Sequence, residues 1–305
     1  MKKLREEFAD LMLEIGSKNK NLVVMVGDIS HGILQPFAKK FPNRYYNIGI
    51  CEPSMVNVAA GIKKIGLIPV VHTIAPFITE RAFEQIKLDL GYQNLGANIV
   101  SIGSAFDYAK LGCSHHCYTD ISLLSHLKNS QVFMPGSAIE FKELFKQAYK
   151  QNKINYFKLT DNAHEFKFTK DQIKIGKGIV VCPGRDLTIS VVGSQLKNVL
   201  KVRKKLSEKM ISAEILYFPT LKPFDNKVIK KSVEKTRRLV CVEELSAHDG
   251  LFNQCIKSLA GKEFKYKQIA IKDFIKDYGA YEDLCNIIGL SVKNIYKQSM
   301  ILMNK

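Results

Sequence analysis

Apolar positions along the chain alternate between two spacings. Leu4, Phe8, Leu11, Met12 and Ile15 recur every three or four residues and stop at Gly16, which predicts an amphipathic helix. Residues 22–26 are then continuously apolar and end in Gly27-Asp28, which predicts a short buried strand. The alternation continues, with strands expected over 45–50, 67–72, 98–102, 131–134 and 154–159 and helices over 55–64, 77–90, 121–127 and 139–149. Residues 160–178 are polar and poor in branched apolar side chains, and a linker is placed at 163–178. Beyond it the pattern resumes, with strands over 187–192, 211–217, 239–242 and 266–271, helices over 196–206 and 251–259, and a terminal helical region. Short apolar strands separated by helices must bury both faces, so the expected fold class is α/β, with mainly parallel sheets flanked by helices. Two such domains are expected, at 1–162 and 179–305.

Composition narrows the classes. Of 305 residues, 46% are hydrophobic and 25% charged, which supports a sizeable core and excludes a disordered, collagen-like or disulfide-miniprotein chain. The apolar stretch around 65–78 is broken by Pro69, His72, Thr73 and Pro76, far short of the ~20 uninterrupted residues of a membrane span. Glu6 and Glu7 fall where a signal peptide needs its apolar region, so a cytoplasmic location is expected. The seven cysteines are an odd number and scattered, which favours free thiols. The formal charge is +17, yet Lys39, Lys63, Lys64, Lys87, Lys142 and Lys146 are spread over many helices. Solvated helix faces therefore explain the charge better than a nucleic-acid surface, and neither nucleic acid nor membrane is expected as a partner. A basic nucleic-acid-binding or regulatory protein stands as the non-enzymatic alternative.

Sites in open parallel sheets lie beyond the carboxyl ends of the strands, which directs attention to 27–32, 48–53 and the loop 104–120. Glu52 follows a strand and opens a helix. Position alone reads it as a helix-start carboxylate favoured by the dipole. Its apolar neighbours Ile50, Cys51, Met55 and Val56 suit it instead to sharing a proton with a bound heterocycle. Asp28 reads as a strand-end turn residue. The run Cys113-Ser114-His115-His116-Cys117 has zinc-ligand residue types, but its spacing matches no standard pattern and no second ligand pair follows, so no metal site is expected. Neither a G-x-G-x-x-G fingerprint nor a Walker A loop is present.

The segment Tyr46-Asn47-Ile48-Gly49-Ile50-Cys51-Glu52-Pro53-Ser54-Met55, followed by Ala59-Ala60-Gly61, resembles the transketolase family's N-x-G-I-A-E-Q-x-M…A-A-G run around its catalytic glutamate. Gly27-Asp28-Ile29-Ser30 is similar to the family's G-D-L-S, and Phe77…Arg81…Glu84-Gln85-Ile86 to F-x-x-x-R-x-x-E-Q-I. Gly112-Cys113-Ser114-His115 with Asp120 resembles G-x-T-H-x-x-x-x-D. In the second half, Thr220-Leu221-Lys222-Pro223-Phe224-Asp225 resembles T-x-K-P-x-D, and Cys241-Val242-Glu243-Glu244 with Asp249-Gly250-Leu251 the V-E-E…G-G-L stretch. The order holds over nearly the whole chain.

The resemblance covers only a pyrimidine-binding domain and a C-terminal domain. The family's G-D-G motif with paired Asn, which holds the diphosphate and its metal, is not found in the sequence. It thus implies one subunit of a split transketolase-like enzyme, which transfers a two-carbon ketol unit from a ketose to an aldose through thiamine diphosphate. A separate diphosphate-binding subunit, in a heterotetramer, would supply the main hold on the Mg2+ or similar divalent ion. By the same resemblance Glu52 drives tautomerisation of the aminopyrimidine, Phe77 stacks on it, and Ile74 and Asp28 lie beside the cofactor. His115 hydrogen-bonds the reacting oxygens of the sugar, with His116 as helper, and Arg5 meets the acceptor's phosphate. Two departures bear on substrate. Lys110-Leu111 replaces an acid that contacts donor hydroxyls, and Asp161 falls at the second phosphate-binding Arg, leaving Lys158 as the nearest cation and phosphate recognition weakened. The enzymatic alternatives are the beta subunit of a 2-oxoacid dehydrogenase's thiamine component and a deoxyxylulose-phosphate-synthase-like enzyme.

Overall fold

The first continuous apolar run forms the strand next to one edge of a seven-stranded sheet in the computed structural model, which describes residues 2–303. In chain order the strands are β1 (Leu22–Val26), β2 (Tyr45–Asn47), β3 (Ile68–Ile74), β4 (Ala97–Ile102), β5 (Ser130–Phe133), β6 (Ile154–Leu159), β7 (Ile179–Cys182), β8 (Leu187–Val191), β9 (Ala213–Tyr217), β10 (Thr220–Lys222), β11 (Arg238–Ser246) and β12 (Lys265–Ile271). The first sheet runs β10-β5-β6-β4-β3-β1-β2 and is parallel except for β10 against β5. The second runs β12-β11-β8-β9-β7 and is parallel except for β7 against β9. Two α/β units with mainly parallel sheets follow, as the alternation predicts.

Alternate side chains of the inner strands enter different cores, the period-two rule at work. Val24 and Val26 pack with Phe8, Leu11 and Phe141 from the helices Leu4–Lys18 and Ala138–Ala148. Met25 and Val71 pack with Met55, Val56 and Ala59 of the helix Glu52–Lys64. Both faces are covered, so the strands are continuously apolar. The register pairs Val26 with His72 and His72 with Val100, which aligns the carboxyl ends of β1, β3 and β4 on one edge.

The structure redraws several expected elements. The helix expected over 77–90 is π-helical over Phe77–Arg81, α-helical over Phe83–Gln85 and π-helical again over Ile86–Tyr92. Thr79 donates its hydroxyl to the Ala75 carbonyl four residues back, a bond that competes with the regular ladder. The segment 163–178, expected as a linker, is packed down: His164, Phe168 and Ile173 are buried, and Gln147 bonds the backbone of Ile173 and Ile175. The helices Gln35–Lys40 and Asn226–Thr236 and the strands β7 and β10 are further elements that the sequence reading does not place. All seven cysteines are free, and no described helix is long and apolar enough to cross a membrane.

Candidate active site

The chain leaves β2 and turns at Gly49, whose φ of +77° suits glycine, before entering the helix with Glu52 in its first turn and Pro53 beside it. Glu52 is 1% exposed. One carboxylate oxygen accepts from Thr73 Oγ1 at 3.3 Å and the other from Arg81 Nη1 at 3.0 Å. The Arg81 side chain is 46% exposed and its guanidinium lies over the Phe77 ring, 4.2 Å from the centroid. Phe77 meets the His115 ring edge-on at 5.1 Å, and His115 lies 6.0 Å from Tyr108. Residues far apart in sequence thus form one continuous row: a buried carboxylate, a guanidinium, an aromatic face and an imidazole. Burial and the nearby Arg81 charge lower the His115 pKa, which keeps this imidazole neutral near pH 7.

Asp28 stands at the head of β1 with a φ of +54°. Its amide donates to Asn47 Oδ1 at 3.0 Å, Asn47 Nδ2 donates to its carboxylate at 3.2 Å, and the Gly49 amide donates to Asn47 Oδ1 at 3.1 Å. Asn47 therefore ties the loop after β1 to the turn that presents Glu52. Behind this loop, His72 is fully buried, with Nδ1 2.7 Å from the Val100 carbonyl and Nε2 2.9 Å from Ser30 Oγ. A carbonyl only accepts, so Nδ1 carries the proton and Ser30 donates to Nε2. Burial lowers the His72 pKa to about 4. Ile74 ends β3, half-buried.

The remaining expected site residues lie elsewhere. Arg5 pairs with Asp161 at 2.9 Å, so its charge already has an acidic partner from the position where the resemblance expects arginine. Lys158 corrects the sequence reading. Its side chain is wholly buried, donates to Asp120 at 2.9 Å and to the Cys117 carbonyl at 2.7 Å, and cannot reach a substrate. An ammonium on a fully buried strand needs a carboxylate, and Asp120 supplies it. His116 is 3% exposed and meets Phe106 edge-on at 5.3 Å, whereas His115 meets Phe77. Among the described residues no group of three His, Cys, Asp or Glu is placed to hold a metal ion. Cys117 is buried with its thiol pKa raised by desolvation, while Cys113 is exposed.

Sequence reasoning does not assign roles to Thr73, Arg81, Asn47, His72 or Ser30. All five leave a signal: Ser30, Asn47 and Arg81 stand within the family-like motifs, and His72 and Thr73 interrupt an otherwise apolar strand. The donor set suits an aminopyrimidine: Glu52 offers a carboxylate oxygen to a ring nitrogen, and Phe77 and Ile74 offer apolar surface.

Two family models match the chain: "Transketolase, pyrimidine binding domain" over residues 1–163 and "Transketolase, C-terminal domain" over 176–295. A putative transketolase C-terminal section of Methanocaldococcus jannaschii is 30% identical over 100% of this chain and 97% of its own length. A subunit of the apulose-4-phosphate transketolase of Phocaeicola vulgatus is 28% identical over 99% and 97%. Among solved structures, a split gene transketolase described as an inactive beta4 tetramer superposes with a TM-score of 0.89 at 28% identity, covering 99% of this chain and 98% of that one.

Proposed function

The chain belongs to the transketolase family, and from that premise we propose that its edge at β1, β3 and β4 is the pyrimidine-side half of a thiamine diphosphate site completed by a second subunit. As a family member it is a transketolase-like transferase acting as one subunit, and the family depends on thiamine diphosphate. When bound, that cofactor supplies the nucleophilic carbon needed to break and remake a ketose's carbon–carbon bond.

The chain's own residues would do the following. Glu52 holds the cofactor's ring nitrogen and shares a proton with it at a carboxylate oxygen. Thr73 orients the other oxygen, and the apolar wall of Met55 and Val56 keeps water from it. Phe77 and Ile74 would offer their apolar surfaces to the ring, beside the Arg81 guanidinium that lies over Phe77 and bonds Glu52. His115, neutral and next to Phe77, can donate to or accept from the reacting oxygens of a sugar. Asp28 and Asn47 fix the loop that borders Glu52. The diphosphate and its divalent ion belong to the partner subunit, a reading supported by relatives of this length whose names call them a C-terminal section and one subunit of a transketolase. Substrates are a ketose donor and an aldose acceptor. Pairing of Arg5 with Asp161 supports an acceptor that carries less negative charge at that end than a sugar phosphate.

The single observation that carries the reading is Glu52, 1% exposed in the first turn of its helix and in line with Arg81, Phe77 and His115. Glu52→Gln should lower ketol transfer by the assembled two-subunit enzyme by at least about 100-fold while subunit assembly stays intact. Near-normal turnover in that variant would overturn the mechanism. Carbon dioxide release from a 2-oxo acid in place of ketol transfer would establish the decarboxylating alternatives.

A further inference from the structure

The loop that presents His115 toward Phe77 presents its next residue to a different place. Between the two domains lies a cleft of about 370 Å³, walled by this loop on one side and by the ends of β11 and β12 on the other. Neither Glu52 nor Phe77 nor His115 lines it. His116 does, 3% exposed, and neither of its ring nitrogens has a hydrogen-bond partner. A buried imidazole with both nitrogens unmet is costly unless something supplies a donor and an acceptor. Burial and the neighbouring His115 lower its pKa, so it offers one N–H and one lone pair. A hydroxyl group, donor and acceptor at once, matches that pair.

The other walls point the same way. Ser246 and Thr119 bring hydroxyls, and Glu80 brings a carboxylate that already accepts from Thr119. Asp273 accepts at one oxygen from the Phe274 amide at 2.7 Å, which leaves its second oxygen for a ligand. Two carboxylates face a single ammonium, Lys272, a balance that disfavours an anion. Phe274, 67% exposed, stands at the rim with its ring 6.5 Å from Tyr118 and offers apolar area to the C–H face of a ring or chain. We propose that this interdomain cleft binds a neutral polyhydroxylated small molecule, a sugar or polyol, anchored by His116 and Asp273 and distinct from the site around Glu52. Its occupant would bear on the back of the loop that carries His115.

The test uses the full chain alone, without partner subunit or cofactor, so its outcome does not depend on the proposed function. Histidine ring signals are followed by NMR, with the His116 signals assigned by their loss in His116→Gln. D-fructose and xylitol serve as neutral probes and inorganic phosphate as the anionic one. The expected result is a saturable shift of the His116 signals with at least one neutral probe and none with phosphate. Asp273→Asn, a change at the exposed rim that leaves the core untouched, should weaken that binding by about ten-fold, as the loss of one charge-assisted hydrogen bond implies. The proposal is overturned if no neutral probe moves the His116 signals, if phosphate moves them equally, if the shift appears at His115 instead, or if Asp273→Asn leaves the binding unchanged.

Discussion

His72 is a titratable group locked into a position where only its neutral form fits. Its two ring nitrogens are satisfied by Val100 and Ser30, and burial lowers its pKa from the ordinary 6.5 to about 4. The unfolded chain therefore takes up the proton first as pH falls. The stability tied to the neutral ring is fully present above pH 6.5 and is lost progressively toward pH 4, about 3 kcal/mol in all. Glu243, pushed up to about 7 by burial, titrates in the opposite sense over much of this range. The quantity to read is thus the difference between variants. His72→Asn, which keeps a donor for Val100 and cannot be protonated, should gain on the wild type by about 3 kcal/mol between pH 7 and pH 4 in urea unfolding. A pH-independent difference would show that His72 is not held neutral.

Glu52 and Lys158 show what single side chains reveal before a structure. Glu52 is legible because a helix start, an apolar neighbourhood and a motif all fall within a few residues of it. Its partner Arg81 belongs to a second motif, but no spacing rule joins a first-turn carboxylate to an arginine on a later π-helical segment. Lys158 reads wrongly as a phosphate ligand because its residue type is visible in sequence, whereas its counterion Asp120 lies on another element. Flanked by Phe157 and Leu159 in a fully buried strand, it has to find an internal carboxylate.

The helix Leu251–Ser258 starts without a side-chain cap of its own, since its N-cap residue is Gly250. Glu243, on β11, does that work from outside: its carboxylate accepts from the Leu251 and Phe252 amides and from Gln268 Nε2 at 3.1 Å. A Cβ at Gly250 would collide with Glu243 Oε2, so the glycine is required for that close approach. Gly250→Ala should push the carboxylate off the helix end and cost about 2 kcal/mol or more. Gly32 is the matched control: a methyl group there would meet nothing within 4 Å, and its φ is not left-handed, so Gly32→Ala should change the melting temperature little. Equal effects of the two changes would refute the role given to Glu243. Here the V-E-E and D-G-L strings are visible in sequence as a resemblance only, and the carboxylate-to-amide geometry explains why those residue types sit together.

The two domains meet through a strand that periodicity could not disclose. β10 is three residues long and belongs by sequence to the second domain, yet it completes the first sheet by pairing with β5. Lys222 at its end donates to the Ser125 carbonyl at 2.9 Å and to Ser130 Oγ at 3.0 Å. The Met134 amide donates to the Pro219 carbonyl at 3.0 Å, and Tyr217 of the second sheet donates to Glu140 at 2.5 Å. The Ser246 amide donates to the Tyr118 carbonyl, which binds the second domain to the loop carrying His115. A boundary drawn from composition therefore separates two folding patterns without separating two independent bodies. Cutting the chain after residue 178 would uncover the β5 edge and remove the hydroxyl partner of the buried Glu140. The full chain should melt in one calorimetric transition, and the fragment ending at residue 178 should lack a cooperative transition and self-associate in sedimentation. A fragment that melts cooperatively as a monomer would show that the shared strand is dispensable, and with it the idea that the second domain holds the His115 loop in place.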